Sequence, residues 1–339
     1  MKPRLKPLDQ QVIVITGGSS GIGLATARRA AEKGARLVLA ARNEEALAAI
    51  KADLESDGAE VEYVTADVGE REDVRRIVDA ATARFGGFDT WINDAGAATY
   101  GKIVDTPVED MRQVFETNFW GIVYGSLEAI AHLRTRPGGG KLINLGSVLS
   151  DFAIPEQGPY VASKHAVKGF TRSLRIEMAQ MRLPVSVTLI KPSAISTPYK
   201  DHARNLMDKP ANLPQPLYGP NVAADAILYA CQHDVRDLTV GFAGRGQQMF
   251  QQYLPEVADA MFAMFGSKLQ KDDRAGETIN RKGNLYTPEP DGEAEGGNLV
   301  VRHWSAYTAA QTHPRTTAAL ALVGGLLAVG AIVGNRRSA

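Results

Sequence analysis

Tyr160 and Lys164 stand four residues apart in PYVASKHAV, a stretch that reads as helix. Residues at i and i+4 share a helix face, so the ammonium can lie beneath the phenol. A free tyrosine ionises at about pH 10, and a neighbouring positive charge favours tyrosinate and brings that value towards neutrality. Such a pair can give a proton to a substrate oxygen or take one from it. Ten tyrosines and 14 lysines in 339 residues would supply about 0.4 such pairs by chance, so the pair gains meaning only from its surroundings. Ser147 lies 13 residues upstream, just after the apolar run of KLINLGSV. Its hydroxyl can hydrogen-bond an oxygen on which negative charge develops.

A second group of residues suits a phosphate. VIVITGGSSGIGLATARRAAEKG reads as strand, glycine turn, helix, with Gly17, Gly21 and Gly23 permitting a tight turn and close backbone approach. The N–H groups and dipole at the helix start favour an anion there. The second strand ends LVLAARNEE, so its tip is Ala41 followed by Arg42. An NAD site usually carries an acid at this tip to accept from the ribose hydroxyls. A guanidinium suits the extra 2′-phosphate of NADP. The expectation is NADP(H), with NAD(H) less favoured.

These groups need elements to bring them together. Strand patterns fall at residues 12–16, 36–40, 60–65, 90–93, 141–145, 185–190 and 238–240, and helical patterns at 22–33, 107–118 (continuing towards Leu133) and 160–181. Alternation of this kind predicts an α/β fold, a Rossmann-type doubly wound parallel sheet of about seven strands, here with a C-terminal helical extension. Such sheets bind ligands at the carboxyl ends of their strands, which is where the motifs sit.

With T-G-x-x-x-G-x-G after the first strand and Y-x-x-x-K after the fifth, the sequence resembles the short-chain dehydrogenase/reductase family, in its single-domain branch, over about residues 8–244. The resemblance implies a catalytic tetrad of Asn118, Ser147, Tyr160 and Lys164. Tyr160 would be the general acid/base and Lys164 would also hold the nicotinamide ribose. Asn118 would perturb its helix and anchor a water in a proton relay. It further implies that the turn residues Gly17, Ser19, Ser20, Gly21, Ile22 and Gly23 hold the dinucleotide. Asp67 would meet the adenine, and Asn93, Ala95 and Gly96 would pass beside the cofactor. In KPSAISTP, Pro192, Ile195 and Thr197 would reach the nicotinamide end. Asp94 and Ser193 depart from the family's Asn and Gly, so altered hydrogen bonding and loop geometry are expected there.

The remaining chain bears on substrate and location. Residues 198–220 hold five of the 17 prolines and read as a substrate lid. Phe250, Leu254, Val257, Met261 and Phe265 fall at helical spacing, predicting a helix packed on its own domain or, as the alternative, a mouth for an apolar substrate. Residues 271–315 read as a partly ordered tether. The run Ala318 to Val333 is uncharged and glycine-bearing, and with Thr316 and Thr317 would span about 27 Å as a helix, the short end for a bilayer core. The expected organisation is a catalytic domain at 1–245, helix and tether at 246–315 and a membrane helix at 316–335. Lys+Arg and Asp+Glu are 38 each, which argues against nucleic acid, and one cysteine excludes an internal disulfide. No metal site and no signal peptide are expected.

The function expected from all this is an NADP(H)-dependent oxidoreductase that interconverts a carbonyl and an alcohol on an apolar small molecule. It would sit on the cytoplasmic side of a membrane, or in the cytoplasm if the tail is not inserted, and a homo-oligomer is allowed. The alternative is a catalytically silent dinucleotide-binding regulator or scaffold at the membrane. The intact Ser147, Tyr160 and Lys164 argue against it.

Overall fold

A computed structural model of the protein describes residues 2–272, 281–297 and 300–319. The chain opens with β1 (Val12–Thr16), α1 (Gly21–Ala31), β2 (Arg36–Ala41), α2 (Glu44–Ser56), β3 (Val61–Thr65), α3 (Arg71–Phe85) and β4 (Thr90–Asn93). There follow β5 (Thr99–Tyr100), α4 (Val108–Phe115), α5 (Gly121–Leu133), β6 (Gly140–Leu145), α6 (Gly158–Gln180), β7 (Val185–Pro192), α7 (Tyr199–His202) and β8 (Arg204–Asn205). The last described elements are α8 (Pro220–Gln232), β9 (Asp237–Val240), α9 (Ala243–Tyr253), α10 (Pro255–Leu269) and α11 (Ala306–Thr312).

Seven strands form one parallel sheet in the order β3-β2-β1-β4-β6-β7-β9. Every residue of β1, β4, β6 and β7 is buried, because helices cover both faces and leave no polar side to a strand. Leu24, Leu47 and Ile227 pack from α1, α2 and α8 on one face. Ile77, Leu133 and Leu174 pack from α3, α5 and α6 on the other. Strand order reverses between β1 and β4, so the loops leaving their carboxyl ends part and open a cleft.

The predicted strands and helices are all present, with ends shifted by a few residues. The predicted helix from 107 onward is two helices joined by a π turn at Glu116–Trp120. The proline-rich segment 198–220, read as a substrate lid, has regular structure of its own. It carries α7 and β8, and β8 pairs with β5 in the register Thr99↔Arg204. Its residues Ala203, Met207 and Ala211 are buried against Tyr100.

The Met/Phe stretch differs from expectation. It breaks at Leu254 into α9 and α10, where Pro255 provides no N–H to continue the first helix. The face of α10 packed on the domain is Ala258, Phe262 and Gly266, whereas Leu254, Val257, Met261 and Phe265 are exposed. The buried face lies one residue on from that stripe, and at Gly266 the approach is too close for any side chain: a Cβ there would lie 2.6 Å from Pro155 Cγ. The expected tether is laid against the domain in its described part, with Leu285, Ser305 and Thr308 buried.

The predicted membrane helix at 316–335 lies, from residue 320 onward, outside the described residues. Among the described residues no helix is long and apolar enough to cross a membrane.

Candidate active site

The glycine turn leaves the end of β1 as the sequence implies. Gly17 (φ 75°) and Gly21 (φ 55°) occupy the left-handed region, which a Cβ disfavours. Space is closed as well: a Cβ on Gly17 would lie 2.8 Å from the Ala95 backbone, and one on Gly23 2.1 Å from the Gly17 carbonyl oxygen. The turn is therefore pressed onto the β4 loop, and Ser19, Ser20, Gly21 and Ile22 face the cleft while Gly23 lies beneath it.

At the other end of the cleft α6 begins with Pro159 in its first turn, a position that needs no N–H donor. This sets Tyr160 at the sheet edge and Lys164 one turn deeper, with Nζ 5.6 Å from the Tyr160 ring centroid. The Ser147 and Tyr199 hydroxyls are hydrogen-bonding neighbours of the Tyr160 hydroxyl. Burial pushes the Tyr160 phenol up to about 12, against the hydrogen bonds from Ser147 and Tyr199 that favour its ionised form. Burial also brings the Lys164 ammonium down to about 8, opposed by the charge of Asp94. Lys164 Nζ donates to the Leu145 carbonyl at 2.9 Å. Asp94 itself is raised to about 7 by removal from water, with Lys164 and the Gly23 N–H pulling the other way. Its departure from the family's Asn thus places an acid whose charge acts on the lysine, a consequence the sequence reading left open. At Ser193 the backbone stays out of the left-handed region, so this departure carries no strain.

Asn118 is fully buried inside the π turn. Its side-chain oxygen accepts from Ala97 N–H at 2.7 Å, and its amide donates to Ala97 O and Ser163 Oγ at 2.9 and 3.0 Å. The helix is perturbed as expected, and the wide turn is what aims this side chain at the β4 loop. Asn93 is also inside the protein, bonded to Asn144 at 2.9 Å and to Trp91 at 2.7 Å. Neither side chain reaches the cleft wall.

One cavity of about 330 Å³ joins the two ends. Its wall brings together the turn, Arg42, Asp67, Ala95, Gly96, Ser147, Tyr160, Lys164, Pro192, Ile195 and Thr197. Apolar side chains line the side beyond Tyr160, among them Leu149, Phe152, Leu213, Phe262 and Leu269. A dinucleotide fits this arrangement: glycines clear the backbone at one end, a tyrosine–serine pair faces the other, and an unbroken cavity runs between.

Sequence reasoning missed two features. Tyr199 stands beside Tyr160, ring centroids 5.5 Å apart, its hydroxyl donating to Gln157 at 3.2 Å. More of the site comes from residues 281–297, which cross the end of the cleft beside Arg42 and Asp67. The Arg42 guanidinium donates to the carbonyls of Asn284, Leu285 and Tyr286 and stands 4.0 Å from Asp67. The Ser19 hydroxyl donates to Asp291, and the Gly21 N–H to the Glu293 carbonyl at 2.9 Å. PEPDGEAEGG, rich in acids and glycine, was the available signal, but it has no periodicity that would place it.

The short chain dehydrogenase family profile matches residues 11–207. The uncharacterised oxidoreductase YxnA of Bacillus subtilis (strain 168) is 43% identical over 329 residues, 96% of this chain and 92% of its own. A short chain dehydrogenase/reductase from Burkholderia phymatum, solved in complex with NAD, superposes with a TM-score of 0.68 at 26% identity, over 75% of this chain and 96% of its own. An alcohol dehydrogenase from the archaeon Thermococcus sibiricus, complexed with 5-hydroxy-NADP, gives 0.59 at 27% identity, over 68% of this chain and 95% of its own.

Proposed function

We propose, since the chain belongs to the short chain dehydrogenase family, that this oxidoreductase interconverts a carbonyl and an alcohol, with Tyr160 handling the proton. The observation that carries this reading is the Tyr160 hydroxyl, next to that of Ser147, on the wall of the cavity that the glycine turn opens. A nicotinamide dinucleotide, when bound, supplies or accepts the hydride. The turn residues 17–23 would hold its phosphates, Asp67 its adenine, and Ile195 and Thr197 its far end. Arg42, with Ala41 in place of an acid, favours NADP(H).

In the reducing direction Tyr160, raised to about 12, is protonated at neutral pH and can donate to the substrate oxygen. Ser147 donates a hydrogen bond to the same oxygen as its charge grows. The Lys164 ammonium steadies the tyrosinate left behind. In the oxidising direction Tyr160 must first lose its proton, so that direction gains as pH rises. The apolar wall beyond Tyr160 suits a hydrophobic substrate.

The test is dinucleotide oxidation across a carbonyl panel, from water-soluble to lipidic, with Tyr160→Phe as the control. Tyr160→Phe is expected to lower turnover by at least a factor of about 1,000, within the range seen for removal of a general acid, while dinucleotide binding stays close to wild type. Retained turnover would refute the acid role.

A further inference from the structure

Residues 284–293 run along the rim of the cleft from Arg42 to the glycine turn. Leu285 pins one end, fully buried with Ala97 and Val114. The Asn43 amide donates to the Glu289 carbonyl at 3.3 Å. At the other end the Gly292 N–H donates to the Ser19 carbonyl at 3.0 Å. Between these anchors Asp291 lines the cavity that Arg42 and Asp67 also line. Only 14% of its side chain is exposed. One oxygen accepts from Ser19 Oγ. The other is buried and accepts no hydrogen bond among the described residues, with His202 Nε2 4.0 Å away.

The β2 tip offers no acid, only Ala41. A carboxylate beside the glycine turn repels a 2′-phosphate carrying a charge of about −1.5 to −2. The Arg42 guanidinium, the group that would attract that phosphate, is shared among three carbonyls of the same segment. We propose that Asp291 is a specificity-determining residue, supplying from the C-terminal arm the carboxylate that the β2 tip lacks and limiting the preference for NADP(H) that Arg42 creates. The proposal rests on the reading of the cleft as a dinucleotide site.

The experiment is equilibrium titration of the full-length protein with NADPH and with NADH, followed by nucleotide fluorescence. Asp291→Asn is expected to tighten NADPH about tenfold and to leave NADH within about threefold. Asp291→Glu, which keeps the charge, is expected to keep the wild-type ratio. Where Asp291→Asn does not fold by thermal melting, Asp291→Ser serves the same comparison. Equal shifts for the two dinucleotides, no shift, or a ratio that moves as far with Glu as with Asn would overturn the proposal alone. A wild-type chain that binds neither dinucleotide would overturn the reading of the cleft, and this proposal with it.

Discussion

Asp94 sits where two demands meet. It lies under the glycine turn, its Oδ2 2.8 Å from where a Cβ on Gly23 would stand. It also opposes the desolvation that lowers Lys164 to about 8. The sign of its effect follows. A lysine lowered to about 8 loses its proton as pH rises through that value, and with it the charge that steadies a tyrosinate, so reduction falls on the alkaline side. Asp94→Asn removes the charge that holds the lysine value up and leaves burial unopposed. The alkaline fall of kcat for reduction is expected to move to lower pH. A pH profile of the variant checks this; a fall that stays put or moves upward would remove Asp94 from the account. At this scale the sequence was informative where chemistry depends on local spacing. Tyr160 and Lys164 share a helix, and Ser147 ends a strand. It singled out Arg42 but was silent on that residue's carbonyl partners, which lie more than 240 residues away.

Elements were legible in proportion to their regularity. The buried β-branched runs became strands, and the glycine turn became the start of α1. The two-residue pair β5–β8 has no pattern to detect, and neither does the segment 281–297. That segment is held by backbone carbonyls and N–H groups, which every sequence possesses. Its one strong hydrophobic anchor is Leu285. Leu→Ala in a packed core costs about 2–5 kcal/mol, and about 1.4 kcal/mol is a factor of ten in an equilibrium. Leu285→Ala is therefore expected to speed amide exchange at Gly292 and at Gly21, whose partner is Glu293, by about 30-fold or more. The amides of β1 and β4 should keep their protection, because none of their hydrogen bonds involves this segment. Loss of protection spread evenly through the sheet would instead make the segment part of one cooperative unit with it.

The whole molecule carries no net charge, so attachment to an anionic membrane surface would need apolar contact rather than basic residues. Two features bear on such contact, one seen in the structure and one in the sequence alone. One is the outer side of α9 and α10, where Leu254 is 53% exposed, Val257 56% and Phe265 52%. The other is the uncharged sequence from Ala318 to Val333. A single interfacial helix face binds bilayers reversibly, whereas an apolar stretch long enough to insert holds the chain firmly. The two can be separated by extraction. If the uncharged run inserts, the full chain sediments with membranes and needs detergent for release. A chain lacking residues 316–339 should then leave membranes in a carbonate wash, since an exposed helix face alone binds a bilayer only reversibly. If the full chain is recovered in the soluble fraction without detergent, the tail is not an anchor, and the apolar outer side of α10 then needs another protein surface to cover it.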